Sequence, residues 1–133
     1  MGKIELDVHT HTIASGHSYS SMNEMVNEAK AKGLQLLGMV EHDVGIPGTC
    51  DPIYFKNYHV IPRVFNGLKI ILGIEVNILD YDGKLSISDD LYQCVDYCMA
   101  GIHFHCYKPG SIEQNTNAVI ETIKNPHISV IVH

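Results

Sequence analysis

The chain has 133 residues, is 45% apolar and carries a formal charge of −6, which suits one globular domain with a real core. No run approaches the ~18 apolar residues of a membrane span, and the opening Met-Gly-Lys-Ile-Glu lacks the basic-then-apolar form of a secretion signal, so cytoplasm and no membrane partner are the expectations. Nine histidines equal Lys and Arg combined and no basic cluster is visible, which argues against nucleic acid as partner.

A first strand is predicted over Lys3–Val8, with Ile4, Leu6 and Val8 on one face. A Ser, Thr and Gly-rich loop, Thr10–Ser20, leads to a helix over Met22–Lys32, with Ser21 as N-cap, Glu24 three residues on and Gly33 as the stop. A second strand covers Gln35–Val40, followed by the loop Asp43–Asp51. Pro52–Phe65 reads as helical, bent at Pro62. The third strand is Lys69–Leu79, and Tyr81-Asp82-Gly83 predicts a hairpin into Lys84–Ile87. A short helix near Asp89–Val95 precedes a fourth strand, Tyr97–Phe104. The last helix spans Ser111–Lys124, and Ile128–Val132 is the fifth strand. Strands alternating with helices predict an α/β fold with a mainly parallel sheet.

The apolar runs share one feature: each ends in histidine or glutamate. They are Ile4–His9 continuing to His11, Leu36–His42, Ile70–Glu75, Cys98–His103 and Ile128–His133. In barrels of parallel strands the strand C-termini face a common mouth where active sites are built. Imidazole and carboxylate gathered there are transition-metal ligands first. His9 and His11, two apart in extended backbone, point to one side, and the nearby Asp7 reads either as the acceptor that fixes a ring tautomer or as a solvated carboxylate. His17 and His42 are candidates for a separate ion. Glu75 follows five apolar residues, and a buried carboxylate is costly unless paired or metal-bound; its two oxygens suit a bridge between two ions. His103 is preferred to His105 as a ligand, with His105 facing substrate or supporting a ligand. His133 ends the fifth strand, and His59 and His127 fit structural or surface roles. Cys50, Cys94, Cys98 and Cys106 lack close metal-ligand pairing and read as small buried thiols rather than disulfides.

Asp7-Val8-His9-Thr10-His11-Thr12, Ser15-Gly16-His17, Ser20, Glu41-His42-Asp43, Gly73-Ile74-Glu75, Ala100-Gly101-Ile102-His103 and Ile131-Val132-His133 together resemble the PHP (polymerase and histidinol phosphatase) family. With Asn115-Thr116-Asn117, they are most similar to its stand-alone bacterial phosphatase branch. The resemblance implies a distorted (β/α)7 TIM-like barrel with two or three divalent transition-metal ions, Zn, Mn or Fe, at the strand ends. It implies His9, His11 and Glu75 on the first ion, Glu75, His103 and His133 on the second, and His17 and His42 on the third. Glu75 and His103 are the expected catalytic pair.

The family pattern also needs a later Asp-x-His, and the chain stops on a strand at a candidate ligand. Residues 1–133 are therefore expected to be the N-terminal part of the domain, with the barrel incomplete. The resemblance makes the parent protein a metal-dependent phosphomonoesterase acting on a small phosphorylated substrate, and leaves the activity of the chain alone undecided. The alternatives are a phosphodiesterase or nuclease of the same family, and a non-catalytic metal-binding or assembly module. Open edges at the first and last strands would invite self-association.

Overall fold

The computed structural model describes residues 4–133. Five parallel strands form its sheet: β1 (Leu6–Thr10), β2 (Leu36–His42), β4 (Leu68–Asn77), β5 (Tyr97–Gly101) and β6 (Val130–Val132), paired in that order. A sixth, β3 (Val64–Phe65), joins antiparallel at the start of β4. Helices α1 (Met22–Ala31), α2 (Ile53–Lys56) and α3 (Ile112–Ile123) connect them. Among the described residues, no helix is long and apolar enough to cross a membrane.

Local signals place the two long helices as expected. Ser21 and Glu24 form a reciprocal capping box at α1, and Gly33 takes the left-handed conformation (φ 76°) that ends it. Ser111 and Gln114 do the same at α3. Each helix turns a small apolar face to the sheet: Val26 and Ala29 from α1, Ala118 from α3.

The sheet has two unlike faces. One buries Leu37, Met39, Leu72, Ile74, Val76, Cys98 and Ala100 in the main core shared with the helices. Full burial of each leucine, isoleucine or valine there contributes roughly 1.5–3 kcal/mol. The other face holds a smaller cluster, Val40, Met99 and Val132, with Val8 and Tyr97 against it. Toward the strand C-termini this inner face turns polar.

The sheet curls into a half-barrel, an α/β arrangement matching part of a TIM-like barrel. Flat strands lie about 4.8 Å apart, so edge strands β1 and β6 would be separated by roughly 19 Å. Yet the rings of His9 and His133 stack at 5.9 Å. Tyr97 spans the concavity from β5, its hydroxyl donating to the Val8 carbonyl at 2.7 Å. It passes over Gly38 and Gly73, which have no side chain to block it: a Cβ at Gly38 would lie 2.5 Å from the Tyr97 hydroxyl and 2.7 Å from Val8 Cα. Gly38→Ala is accordingly expected to cost about 1–3 kcal/mol through overpacking, read as a lower urea midpoint. An unchanged midpoint would show that β1 yields freely.

Several expected boundaries differ. Pro52–Phe65 is not one bent helix: α2 passes into a 3-10 turn over Asn57–Val60, and Val64–Phe65 is a strand. Asn66 and Gly67, with φ of 52° and 82°, make the tight turn that pairs Val64 with Lys69. Asn-Gly signals such a hairpin in the sequence, and the expectation overlooked it. At Asp82-Gly83 the turn forms, with Leu79 N–H donating to Lys84 O at 2.7 Å, but only a single bridge, Ile78 to Leu85, follows it. Helix near Asp89–Val95 shrinks to a 3-10 turn at Asp89–Leu91. Ile4 precedes β1 and Leu6 begins this edge strand, and both are exposed; Lys3 lies outside the described residues.

Candidate metal centre

Strand parity puts His42, Glu75 and Met99 on the inner face, since His42 pairs with Glu75 and Glu75 with Met99. Glu75 is fully buried and sits at the middle of the strand ends. In β1 the register slips between Asp7 and Thr10, so three residues there match two on β2. Such a bulge re-aims side chains, and His9 and His11 both point at Glu75. β5 stops at Gly101, short of the expected Phe104, and the chain turns, with Cys106 and Tyr107 N–H both donating to His103 O. That turn brings His103 back over the centre. His105, although of the same parity, is exposed and lines the rim with Phe104.

Five imidazoles surround one carboxylate. Glu75 Oε2 lies 3.1 Å from His9 Nε2, 3.1 Å from His11 Nε2 and 3.5 Å from His42 Nδ1. Its Oε1 lies 3.0 Å from His103 Nε2 and 3.1 Å from His133 Nε2. A sixth, His17, meets His42 with the two Nε2 atoms 2.8 Å apart. All seven candidate residues are thus brought together. In two triplets, His9 with Glu75 and His133, and His11 with His42 and Glu75, the donor atoms all lie within 4.8 Å of one another. The resemblance groups them otherwise, pairing His9 with His11 and His133 with His103.

The donor set fits divalent cations. Two donors about 2.05 Å from a tetrahedral zinc are roughly 3.3 Å apart, close to these spacings. Nδ1 of His42 is buried without a hydrogen-bond partner and faces Glu75, a cost that ligation or a shared proton would relieve; Nδ1 of His103 is also unpartnered, on the ring edge away from the Nε2 that meets Glu75. Burial pushes Glu75 toward the neutral form, but hydrogen bonds from His103, His11 and His9 and the charge of His42 hold it well below the usual carboxylate range. For His42, burial dominates and lowers its pKa to about 4, opposed by Glu75 and helped by His11, His103 and His17. A neutral imidazole beside an ionised carboxylate is the ligating form of both.

Other expectations resolve simply. Asp7 accepts the His9 backbone amide at 3.1 Å rather than a ring N–H. His59 bonds the Lys56 carbonyl, and His127 stacks on Tyr92 at 4.4 Å. All four cysteines are free, although only Cys98 is buried. Two partners went unassigned from sequence, Ser15 and Glu41. Their signal was present: Glu41 interrupts an apolar strand as Glu75 does, and a buried carboxylate there needs donors.

A cleft of about 300 Å³ opens beside the centre, lined by His17, His42, His103 and His133 together with Ile46, Ile102 and Phe104. A family model described as the PHP domain matches residues 7–129. A probable phosphatase of Caldicellulosiruptor bescii is 42% identical over 130 residues, covering 98% of this chain and 54% of its own length. Probable phosphatases of Thermoanaerobacter sp. (strain X514) and Acetivibrio thermocellus are 43% and 40% identical, each with 98% of this chain and 54% of their length aligned. The chain thus spans about half the length of the curated relatives it matches. With its motifs on consecutive strand ends and a matching model over nearly all its residues, the chain belongs to the PHP domain family.

Proposed function

We propose that the protein is a metal-dependent phosphomonoesterase acting on a small phosphorylated molecule, with the cytoplasm as its compartment. His9, His11, His17, His42, Glu75, His103 and His133 hold two or three divalent ions, and Glu75 and His103 stand nearest the chemistry. The observation that carries this reading is the convergence of five imidazoles on the single buried carboxylate of Glu75. Its relatives' description as probable phosphatases supports the reaction class. Zinc-, manganese- or iron-type cations bound there would ionise water near neutral pH and offset phosphoryl charge.

The protein's own groups do the positioning. Glu75 presents Oε2 to His9, His11 and His42 and Oε1 to His103 and His133, which suits a bridge. None of the residues lining the cleft is Lys or Arg, so a phosphate would have its charge met by the centre itself. Ile46, Ile102 and Phe104 offer apolar contact to the esterified part, and the cleft is at the small end for ligand sites.

The test compares p-nitrophenyl phosphate with bis(p-nitrophenyl) phosphate, using the protein at the full length its gene encodes, with Mn²⁺ or Zn²⁺ added. Faster monoester cleavage, abolished by chelation, is the expected result. Preference for the diester would move the reading to a phosphodiesterase, and chelator-resistant cleavage would end it.

A further inference from the structure

Glu41 is fully buried on the face of β2 opposite His42 and touches none of the imidazoles. Its carboxylate accepts the Thr12 amide at 3.2 and 3.3 Å, the Thr12 hydroxyl at 2.5 Å and the Ser15 hydroxyl at 2.6 Å. An ionised carboxylate only accepts, so Ser15 gives Glu41 the one proton its hydroxyl has. Ser15 Oγ is left with lone pairs alone. One takes the His42 amide N–H at 3.2 Å. The other faces His11 Nδ1 at 3.1 Å, and that contact is a hydrogen bond only if Nδ1 carries the hydrogen.

We infer that Glu41, acting through Ser15, is a positioning pair that fixes His11 with its proton on Nδ1 and its Nε2 lone pair free for a divalent cation shared with Glu75. The same hydroxyl ties the His42 backbone to the His11 ring, whose stacking on the His42 ring at 4.6 Å places both rings of the second triplet. His11 Nε2 stands 3.1 Å from Glu75 Oε2; two lone-pair atoms at that range repel unless a proton or cation lies between. Carboxylates that orient a ligand histidine usually contact it directly; here a hydroxyl intervenes. This inference rests on the metal-binding reading proposed above.

The test titrates the chain with Zn²⁺ alone against a competing chelator, for wild type, Glu41→Gln and Ser15→Ala. The glutamine is nearly isosteric but brings an N–H that can donate to Ser15, turning the serine proton toward His11. Ser15→Ala removes the relay while leaving Thr12 to satisfy Glu41, which keeps the experiment readable should Glu41→Gln fold poorly. Both variants are expected to weaken one zinc site about 10- to 100-fold. Nitrogen-15 spectra of the metal-free protein read the His11 Nδ1 proton directly: present in wild type, lost in Glu41→Gln. Wild-type zinc affinity in both variants overturns the inference, as does a variant that loses only thermal stability while His11 keeps its Nδ1 proton. A wild-type chain that takes up no zinc sinks the metal-binding reading and this inference with it.

Discussion

Glu75→Gln is expected to weaken zinc binding by more than the roughly 100-fold that supporting residues cost, and Glu75→Ala to destabilise the metal-free chain by about 3–5 kcal/mol. The two substitutions separate charge from packing. Glutamine keeps the shape but offers one carbonyl oxygen where the carboxylate offers two, and its amide N–H donates toward imidazoles that already donate. Alanine leaves five imidazole nitrogens facing an empty, buried position. Metal retained after dialysis and urea midpoints in chelator measure the two effects. A Glu75→Gln protein that keeps its full metal content would show that the histidines suffice and that the bridging role is mistaken.

Acid is expected to unfold the metal-free chain earlier than an ordinary domain of this size. His42 has its pKa lowered from 6.5 to about 4, chiefly by burial. Between those values the unfolded chain binds the proton and the folded chain does not, so stability rises with pH across that window. Read downward, the contribution is full above the unfolded value and is lost as pH falls toward 4. At 1.36 kcal/mol per unit, the loss amounts to about 3 kcal/mol. Glu75, whose pKa is lowered, adds a loss of the same sign at still lower pH. Urea midpoints in chelator at pH 7 and pH 4.5 should differ accordingly, and His42→Phe should flatten the difference. Stability that is level or rises toward acid would contradict the assignment.

What was legible without coordinates was what neighbouring residues settle between themselves. The capping boxes at Ser21 and Ser111 close over three residues, and the αL stop at Gly33 concerns one residue's own backbone. Composition and spacing suffice for such features. The same locality misled at Pro52–Phe65, where aromatic and apolar residues at helical spacing outweighed the Asn66-Gly67 turn. Pairing with β4 decided that segment, and a pairing partner is not a local property.

Glu41 and Glu75 show the division most sharply. Both interrupt apolar strands, although the sequence reading gave only Glu75 the role of a buried carboxylate in need of partners. Only the register, Glu41 beside Ile74 and His42 beside Glu75, sends one toward the helices and the other into the half-barrel. His103 and His105 likewise share parity, and the turn after Gly101 separates centre from rim. By itself, the order of residues determined the five parallel strands, the two capped helices and the placement of His9, His42, Glu75, His103 and His133 at or just past strand ends, because periodicity and capping are written locally. Tertiary structure alone decided which donors meet. Curling the sheet brings His9 to 5.9 Å from His133 across four strand spacings, and that closeness comes from the curvature of packed layers rather than from any short stretch of chain.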